Sequence, residues 1–235
     1  MLRTVTASIV IALMAGAAQA APDSAAAPGT KAASRPRAGA RAAARRARGP
    51  AQVAVLETAQ GKVVIKLFDK DAPRTAANFK RLVQEKFYDG TYFHRLIAGF
   101  MIQGGDPNTK NSDPSDDGIG GPGYTVTAEI KLPHRRGSVA TARQGDDVNP
   151  KKDSSGSQFF IDLAPQPGLD RGGYTVFGEV LSGMDVVDKI AGLIPSGKNF
   201  GNAGYNPGKA ALITRAYLEP LSRWEKPAAD SAGSK

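Results

Sequence analysis

The segment FHRLIAGFMIQGGD, residues 93–106, mixes side chains that can do chemistry with large apolar ones. Arg95 and Gln103 can donate hydrogen bonds, and Phe100 and Met101 lie between them in the sequence. In an extended strand, Met101 and Gln103 share one face whereas Phe100 takes the other. A face that pairs an apolar side chain with a carboxamide is typical of a binding surface, which is mostly apolar with a few placed polar groups.

The segment SQFFIDL, residues 157–163, has the same pattern. Gln158 and Phe160 share one face of the predicted strand, and Phe159 lies on the opposite, apolar face. Because a buried guanidinium is costly without a partner, Arg95 is predicted to border a pocket rather than to lie in the core. The alternative, that these polar groups merely sit at strand ends, stays open.

The two histidines, His94 and His134, do not have the spacing of a zinc site, and no H-E-x-x-H motif is present. His94 lies between Phe93 and Arg95 in a strand-like stretch. We predict that it is a hydrogen-bonded structural residue, with a general base as the alternative.

Two further motifs resemble ligand sites only in their letters. GIGGPG, residues 118–123, matches the dinucleotide pattern, but Asp116 and Asp117 precede it and a strand-like stretch follows, so nucleotide binding is not predicted. DPSDDG, residues 113–118, resembles the start of a calcium loop, but Tyr124 stands where the loop needs glutamate. We therefore predict a flexible acidic loop.

Stretches rich in β-branched residues predict a mainly β protein. Residues 52–58 and 62–69 are predicted to form a hairpin, and a helix is predicted to follow, with Asp71 as N-cap, Pro73 in the first turn and an end near Lys86. A second short helix is predicted at 184–191, and further strands at 91–96, 99–103, 137–143, 157–163, 174–180 and 210–219. Many short strands with two helices indicate a closed β-barrel or a sandwich with the helices outside.

Composition divides the 235 residues into four parts. Residues 1–20 have the form of a cleaved signal peptide ending at Ala20, which predicts a periplasmic or secreted protein. Residues 21–50 are predicted to be a disordered linker rich in alanine, arginine and proline, residues 51–222 the folded domain, and residues 223–235 a flexible tail.

The formal charge of 31 − 22 = +9 is concentrated in the first fifty residues, which hold eight basic residues and one acid. The folded domain is therefore nearly balanced, and neither nucleic-acid binding nor stable membrane insertion after signal cleavage is expected. The chain has no cysteine, so packing alone must hold the fold.

The blocks FHRLIAGFMIQGGDP, SVATAR, GSQFFI and YTVFGEV resemble the cyclophilin-type peptidyl-prolyl cis-trans isomerases, in particular the secreted bacterial (periplasmic) kind. The resemblance runs from about Gln52 to Glu219. It implies a closed eight-stranded antiparallel β-barrel capped by two α-helices, with the active site in a groove on its outer surface.

The resemblance also implies the site residues, with Arg95 as the catalytic one. The implied substrate-binding residues are Phe100, Met101, Gln103, Ala140, Thr141, Ala142, Gln158, Phe160, Leu169 and Tyr174. The chain departs from the family pattern at Thr141, where asparagine is usual, at Tyr174, where many members have histidine, and at Gly168, where eukaryotic members have tryptophan.

The expected function is a peptidyl-prolyl cis-trans isomerase that accelerates X-Pro bond rotation during the folding of exported proteins. Its expected partners are proline-containing unfolded or exported polypeptides, and the protein is expected to be a monomer. The chemistry requires no cofactor and no metal. The alternative is a proline-binding chaperone or scaffold with negligible turnover.

Overall fold

The computed structural model describes residues 50–225, except 197 and 199. All of them belong to one of the two units into which the chain divides, residues 46–235. The predicted signal peptide and all but the last residue of the predicted linker lie outside the described residues, as does the predicted tail from residue 226 onward. No helix in the described part of the chain combines the length and apolar character that a membrane span needs.

Eight strands form one antiparallel sheet in the described region. They are β1 (Gln52–Thr58), β2 (Gly61–Leu67), β3 (Arg95–Ile97), β4 (Met101–Gly104), β5 (Ser138–Thr141), β6 (Phe159–Asp162), β7 (Val176–Ser182) and β8 (Ile213–Pro220). Their order across the sheet is β3-β4-β6-β5-β7-β2-β1-β8. The α-helices of the same region are α1 (Pro73–Gln84), α2 (Pro167–Gly172) and α3 (Met184–Ala191).

The prediction of an eight-stranded antiparallel sheet is confirmed, but the two outer strands β3 and β8 are not joined by a continuous strand ladder. Instead, isolated bridges link the β3 edge to the segments that precede β8: Tyr92 pairs with Leu212, and Leu96 pairs with Tyr205. The sheet is therefore curled into a half-barrel whose two edges meet through bridges. The second correction is α2, a third α-helix that the sequence analysis did not predict.

The predicted hairpin is confirmed: β1 has the expected bounds, whereas β2 begins one residue earlier and ends two residues earlier than predicted. The strand predicted at 91–96 is mostly wrong, because only its last two residues enter β3. Backbone groups before β3 pair with the segment that leads into β8: Phe93 N donates to Ala211 O at 3.1 Å, and Ile213 N donates to Thr91 O at 2.8 Å.

The N-cap predicted for α1 is wrong. Ala72 occupies the N-cap position, and it provides no side-chain cap. Instead the buried carboxylate of Glu129, from a distant loop, accepts hydrogen bonds from the backbone N of Thr75 at 2.9 Å and of Arg74 at 3.2 Å. The unpaired N–H groups of the first helical turn are thus satisfied by a tertiary contact rather than by Asp71.

Successive side chains along a strand point to opposite faces of the sheet, so neighbouring residues enter different apolar clusters. Ile102 of β4 and Phe159 of β6 belong to the main core, which also receives Phe79 of α1. Met101 and Phe160, their neighbours in sequence, belong to a separate apolar cluster on the other side of the sheet. Residues of that second cluster line the candidate site described below.

The packed part of the chain extends beyond Ser222. Trp224 packs against the outward-facing side chains Val53 and Val55 of β1, and its Nε1 donates to Glu219 at 2.7 Å. The start of the predicted flexible tail is therefore part of the folded domain.

Candidate active site

A chain of hydrogen bonds runs across the strands β3, β4 and β6. Arg95 faces Gln103 in the register of β3 with β4, and its Nη1 donates to Gln103 Oε1 at 2.9 Å. Gln103 Nε2 in turn donates to Gln158 Oε1 at 2.9 Å. The half-buried guanidinium is thus held in a fixed position at the border of a cavity, as predicted.

An apolar pocket of about 100 Å³ lies beside this chain. It is lined by Phe100, Met101, Gln103, Ala142, Arg143, Phe160, Leu169 and Tyr174. The prediction from strand alternation that Phe100 faces away from Met101 is wrong, because β4 begins at Met101 and Phe100 belongs to the preceding turn. The turn brings both side chains to the same pocket, as the resemblance implied.

A larger cavity of about 710 Å³ adjoins the apolar pocket, and we call it the glycine-loop cavity because the segment 118–125 forms much of its wall. Gln158 Nε2 donates to the carbonyl oxygens of Gly118 at 3.0 Å and Gly120 at 2.8 Å. These glycines therefore fix the carboxamide of Gln158 in the wall of the glycine-loop cavity, whereas Gln103 lines both cavities.

A third cavity, of about 360 Å³, lies on the other side of Gln103. We call it the His94 cavity; it is lined by His94, Arg95, Gln103, Asp117, Gly204 and Asn206, among others. His94 is buried, as expected of a structural residue, and the backbone of Tyr92 gives it a hydrogen bond of poor geometry. Burial lowers the pKa of its imidazole, so His94 is neutral at neutral pH.

Burial also lowers the pKa of the Arg95 guanidinium from its usual value. An arginine nevertheless stays charged at neutral pH, because its usual pKa lies far above 7. Partial removal from water strengthens any hydrogen bond that this cation makes to a bound molecule.

Arg143 is a site residue that the sequence analysis missed. It lines both the apolar pocket and the glycine-loop cavity, and its guanidinium lies 4.4 Å from the ring centroid of Tyr174. Its side chain is 4% exposed, pairs with Asp146 at 2.6 Å and donates to the carbonyl oxygens of Gly172 and Gly173. Asp146 is close in the sequence, but the carbonyl oxygens of Gly172 and Gly173 belong to a segment about thirty residues away, so the local pattern alone does not predict this orientation.

Two of the predicted site residues lie outside these three cavities. Ala140 is fully buried in the cluster beneath the apolar pocket, with Met101 and Phe160. Thr141 is also buried, and its backbone N donates to Thr175 O at 3.0 Å. The other nine predicted residues each line at least one of the three cavities.

Comparisons with known proteins agree with this arrangement. The family described as cyclophilin type peptidyl-prolyl cis-trans isomerase/CLD matches residues 53–213. A peptidyl-prolyl cis-trans isomerase of Synechococcus elongatus is 46% identical over 127 residues, which are 54% of this chain and 78% of that protein.

Solved structures agree as well. The crystal structure of a cyclophilin type peptidyl-prolyl cis-trans isomerase of Cryptosporidium parvum has a TM-score of 0.59 at 30% identity and covers 72% of this chain and 97% of its own. Its structure in the presence of the dipeptide Ala-Pro has a TM-score of 0.58 at 28% identity, over 71% of this chain and 98% of that one.

The curled antiparallel sheet with its helices is the cyclophilin fold. This chain belongs to the family of cyclophilin-type peptidyl-prolyl cis-trans isomerases, and it is a peptidyl-prolyl cis-trans isomerase whose substrates are proline-containing peptides.

Proposed function

We propose that Arg95 is the catalytic residue of this isomerase and that the apolar pocket holds the proline ring. The observation that carries the proposal is the position of Gln103, which hydrogen-bonds to Arg95 and also lines the apolar pocket. A proline ring in that pocket would be separated from the fixed guanidinium by the side chain of Gln103 alone. The relative from Cryptosporidium parvum studied with the dipeptide Ala-Pro supports a proline-containing ligand of this kind.

The reaction needs a donor rather than a nucleophile. An X-Pro bond resists rotation because the nitrogen lone pair is delocalised into the carbonyl, which gives a barrier of about 18 to 20 kcal/mol. Twisting the bond localises the lone pair on the nitrogen. A donor placed against that nitrogen binds the twisted amide more strongly than either planar form, and this difference accelerates rotation. Each tenfold acceleration requires about 1.4 kcal/mol of such preference.

The apolar pocket contributes by holding the ring while the carbonyl side turns. Phe100, Met101, Phe160 and Leu169 offer apolar contacts to the ring. Gln103 keeps the guanidinium in place, so that little reorganisation accompanies the reaction.

Replacing Arg95 with alanine tests the proposal. Arg95→Ala is expected to lower kcat/KM for an X-Pro peptide by about 100-fold, the scale of losing one preorganised donor. Arg215→Ala, which removes an exposed arginine of β8, serves as the matched control. The assay is proline-limited refolding of a test protein together with isomerisation of a peptide. If Arg95→Ala turned over as fast as the control, another residue would have to be catalytic.

We further propose that the natural substrates are exported, incompletely folded polypeptides in the periplasm or outside the cell. The support is the amino-acid pattern of residues 1–20, with an early cation, an apolar stretch and small residues before Ala21. Proline isomerisation is slow enough to limit folding, so an exported isomerase has substrates wherever newly translocated chains fold.

A further inference from the structure

The glycine loop, residues 118–125, begins with the letters that match a dinucleotide motif, and it binds a side chain of the protein itself. Asp106 is fully buried, and its Oδ2 accepts hydrogen bonds from the backbone N of Gly118 at 2.5 Å and of Gly120 at 3.0 Å. Its Oδ1 accepts from the backbone N of Asn108 at 2.8 Å. Backbone N–H groups, which bind a phosphate in nucleotide-binding loops, are here directed at a carboxylate.

The same two glycines connect Asp106 to the substrate-binding surface. The carbonyl oxygens of Gly118 and Gly120 accept hydrogen bonds from Gln158 Nε2. Gln158 Nε2 also lies 3.4 Å from Asp106 Oδ2. Because the N–H of each glycine is bound to Asp106 while its C=O is bound to Gln158, any displacement of the loop from the carboxylate would also displace the acceptors of Gln158.

The hydrogen bonds continue from Gln158 to Arg95 in one direction only. Gln158 Nε2 donates to backbone carbonyls, which can only accept, so Gln158 Oε1 faces Gln103 and accepts from its Nε2. Gln103 Oε1 therefore faces Arg95, whose guanidinium can only donate. We call Gln158 and Gln103 the glutamine pair. Acceptors at one end of this pair and a donor at the other fix the orientation of both carboxamides.

The orientation of the glutamine pair decides which group Arg95 meets. If the carboxamide of Gln158 rotated by half a turn, its oxygen would face the carbonyl oxygens of the glycine loop, and its NH₂ group would face that of Gln103. Gln103 would then have to rotate as well, and it would present an NH₂ group to the guanidinium instead of an oxygen. The hydrogen bond to Arg95 would be lost, because both groups are donors.

Asp106 has two roles, and its two oxygens separate them. The segment 107–118 contains the 3-10 turns Pro107–Lys110 and Pro114–Asp116, so the acidic loop of the sequence analysis is not an open one. Asp106 Oδ1 caps the first of these turns, whereas Oδ2 binds the glycine loop. The approach of the loop requires glycine, because a Cβ at Gly120 would overlap Asp106 Oδ1.

We propose that Asp106 is a positioning residue of this isomerase: through the glycine loop and the glutamine pair, it fixes the acceptor that holds the guanidinium of Arg95. A substrate cannot touch Asp106, which is fully buried. The proposal rests on the assignment of Arg95 as the catalytic residue. It makes the rate of isomerisation, rather than the binding of the peptide, depend on a carboxylate outside the pocket.

Asp106→Asn tests the proposal because it separates the two roles of the side chain. Asparagine keeps one oxygen, which can still cap Asn108, and it replaces the acceptor of Gly118 and Gly120 with a donor. We expect kcat for an Ala-Pro peptide to fall by about tenfold, the scale of one hydrogen bond to a charged group, while KM changes by less than about twofold. Line-shape NMR with the full-length protein measures both without a coupled protease.

Asp113→Asn is the matched control. Asp113 caps the second 3-10 turn of the same segment by accepting from the backbone N of Ser115, and it is exposed. The control makes the same chemical change without touching the glycine loop, so kcat and KM should stay within about twofold of the natural values. If both variants lost activity equally, the effect would come from the loss of a negative charge, and Asp106 would not be a positioning residue.

A double-mutant cycle with Arg95→Ala distinguishes positioning from a merely structural role. If Asp106 acts through the guanidinium, Asp106→Asn has little further effect on kcat in a protein that already lacks Arg95, because residues that act as one unit are not additive. A tenfold loss in both backgrounds would overturn the proposal. A wrong catalytic assignment gives a different result, since Arg95→Ala alone would then turn over at the natural rate and both proposals would fall.

Gly120→Ala replaces Asp106→Asn if that variant fails to fold in a thermal melt. Its Cβ would push the glycine loop away from Asp106, so it is expected to lower kcat in the same way and to have little effect in the Arg95→Ala background. The side-chain NH₂ signals of Gln158 in the NMR spectrum report on the glutamine pair directly, and they should shift in either variant. A natural kcat in Gly120→Ala, or unchanged Gln158 signals in a variant that has lost activity, would contradict the positioning role.

Discussion

At the scale of single residues, Tyr92 shows how one hydroxyl can organise a cavity wall. Its side chain is largely buried, and its Oη donates to Asp117 at 2.6 Å. Burial, together with the hydrogen bond to this carboxylate, raises the pKa of Tyr92 to about 12. The phenol therefore remains a donor throughout the neutral and mildly alkaline range, and Asp117 keeps its orientation.

The raised pKa makes stability depend on pH. A tyrosine that ionises near pH 10 in the unfolded chain and near 12 in the folded one contributes stability that is fully present below about pH 10 and is lost as the pH rises toward 12. The difference in unfolding free energy between the natural protein and Tyr92→Phe is thus expected to fall by about 1.4 kcal/mol per pH unit over this interval. Urea unfolding at pH 8, 10 and 11 measures it, and a constant difference would contradict the assigned pKa.

At the scale of elements, α1 depends on a residue from another part of the chain. Burial by itself raises the pKa of the Glu129 carboxyl, but the hydrogen bonds from Thr75 and Arg74 outweigh this effect and lower the pKa below its usual value. Glu129 therefore stabilises the folded state as a carboxylate. The loop that carries Glu129 is tied to the same helix whose Phe79 packs in the main core.

Removing this tertiary cap is expected to destabilise the fold. Glu129→Ala should lower the free energy of unfolding by about 1 to 3 kcal/mol, because buried backbone donors of α1 lose their acceptor. Asp71→Ala, at the position predicted from sequence to be the cap, is the control and should change it by less than about 0.5 kcal/mol. The contribution of Glu129 is present above its unfolded pKa and is lost as the pH falls through the lower folded pKa. An equal decrease in the free energy of unfolding in both variants would show that Glu129 does not cap the helix.

At the scale of the whole molecule, the described chain and the rest of the sequence have different compositions. The folded domain ends with Trp224 packed over β1, and it carries little net charge. The residues before Pro50 contain most of the excess positive charge and include the signal-like pattern. Sequence pattern alone, rather than tertiary structure, is what supports export.

Export predicts a specific mature protein. Expression of the full-length chain in a bacterium with a periplasm is expected to give a soluble periplasmic product that begins at Ala21, because signal peptidase cleaves after small-x-small patterns. Intact-mass spectrometry of the periplasmic and cytoplasmic fractions measures this. Ala20→Arg is the matched variant, and it should block cleavage. A cytoplasmic product that retains residue 1 would contradict the periplasmic or secreted assignment.

The sequence by itself determined features that depend on neighbours along the chain. The hairpin, the second predicted helix at Met184–Ala191 and the shared faces of Met101 with Gln103 follow from local periodicity and turn chemistry, and the structure has each of them. The prediction that Gln158 and Phe160 share one face of their strand follows from the same alternation. Family resemblance added the grouping of these residues around one pocket.

Only the tertiary structure decided the rest, because the groups involved are far apart in the sequence. Glu129 reaches α1 across more than fifty residues, and Arg143 is oriented by carbonyl oxygens of Gly172 and Gly173. The burial of His94 likewise depends on which distant loops pack around it. Periodicity records which face a side chain takes, but it carries no information on which distant donor or acceptor that face will meet.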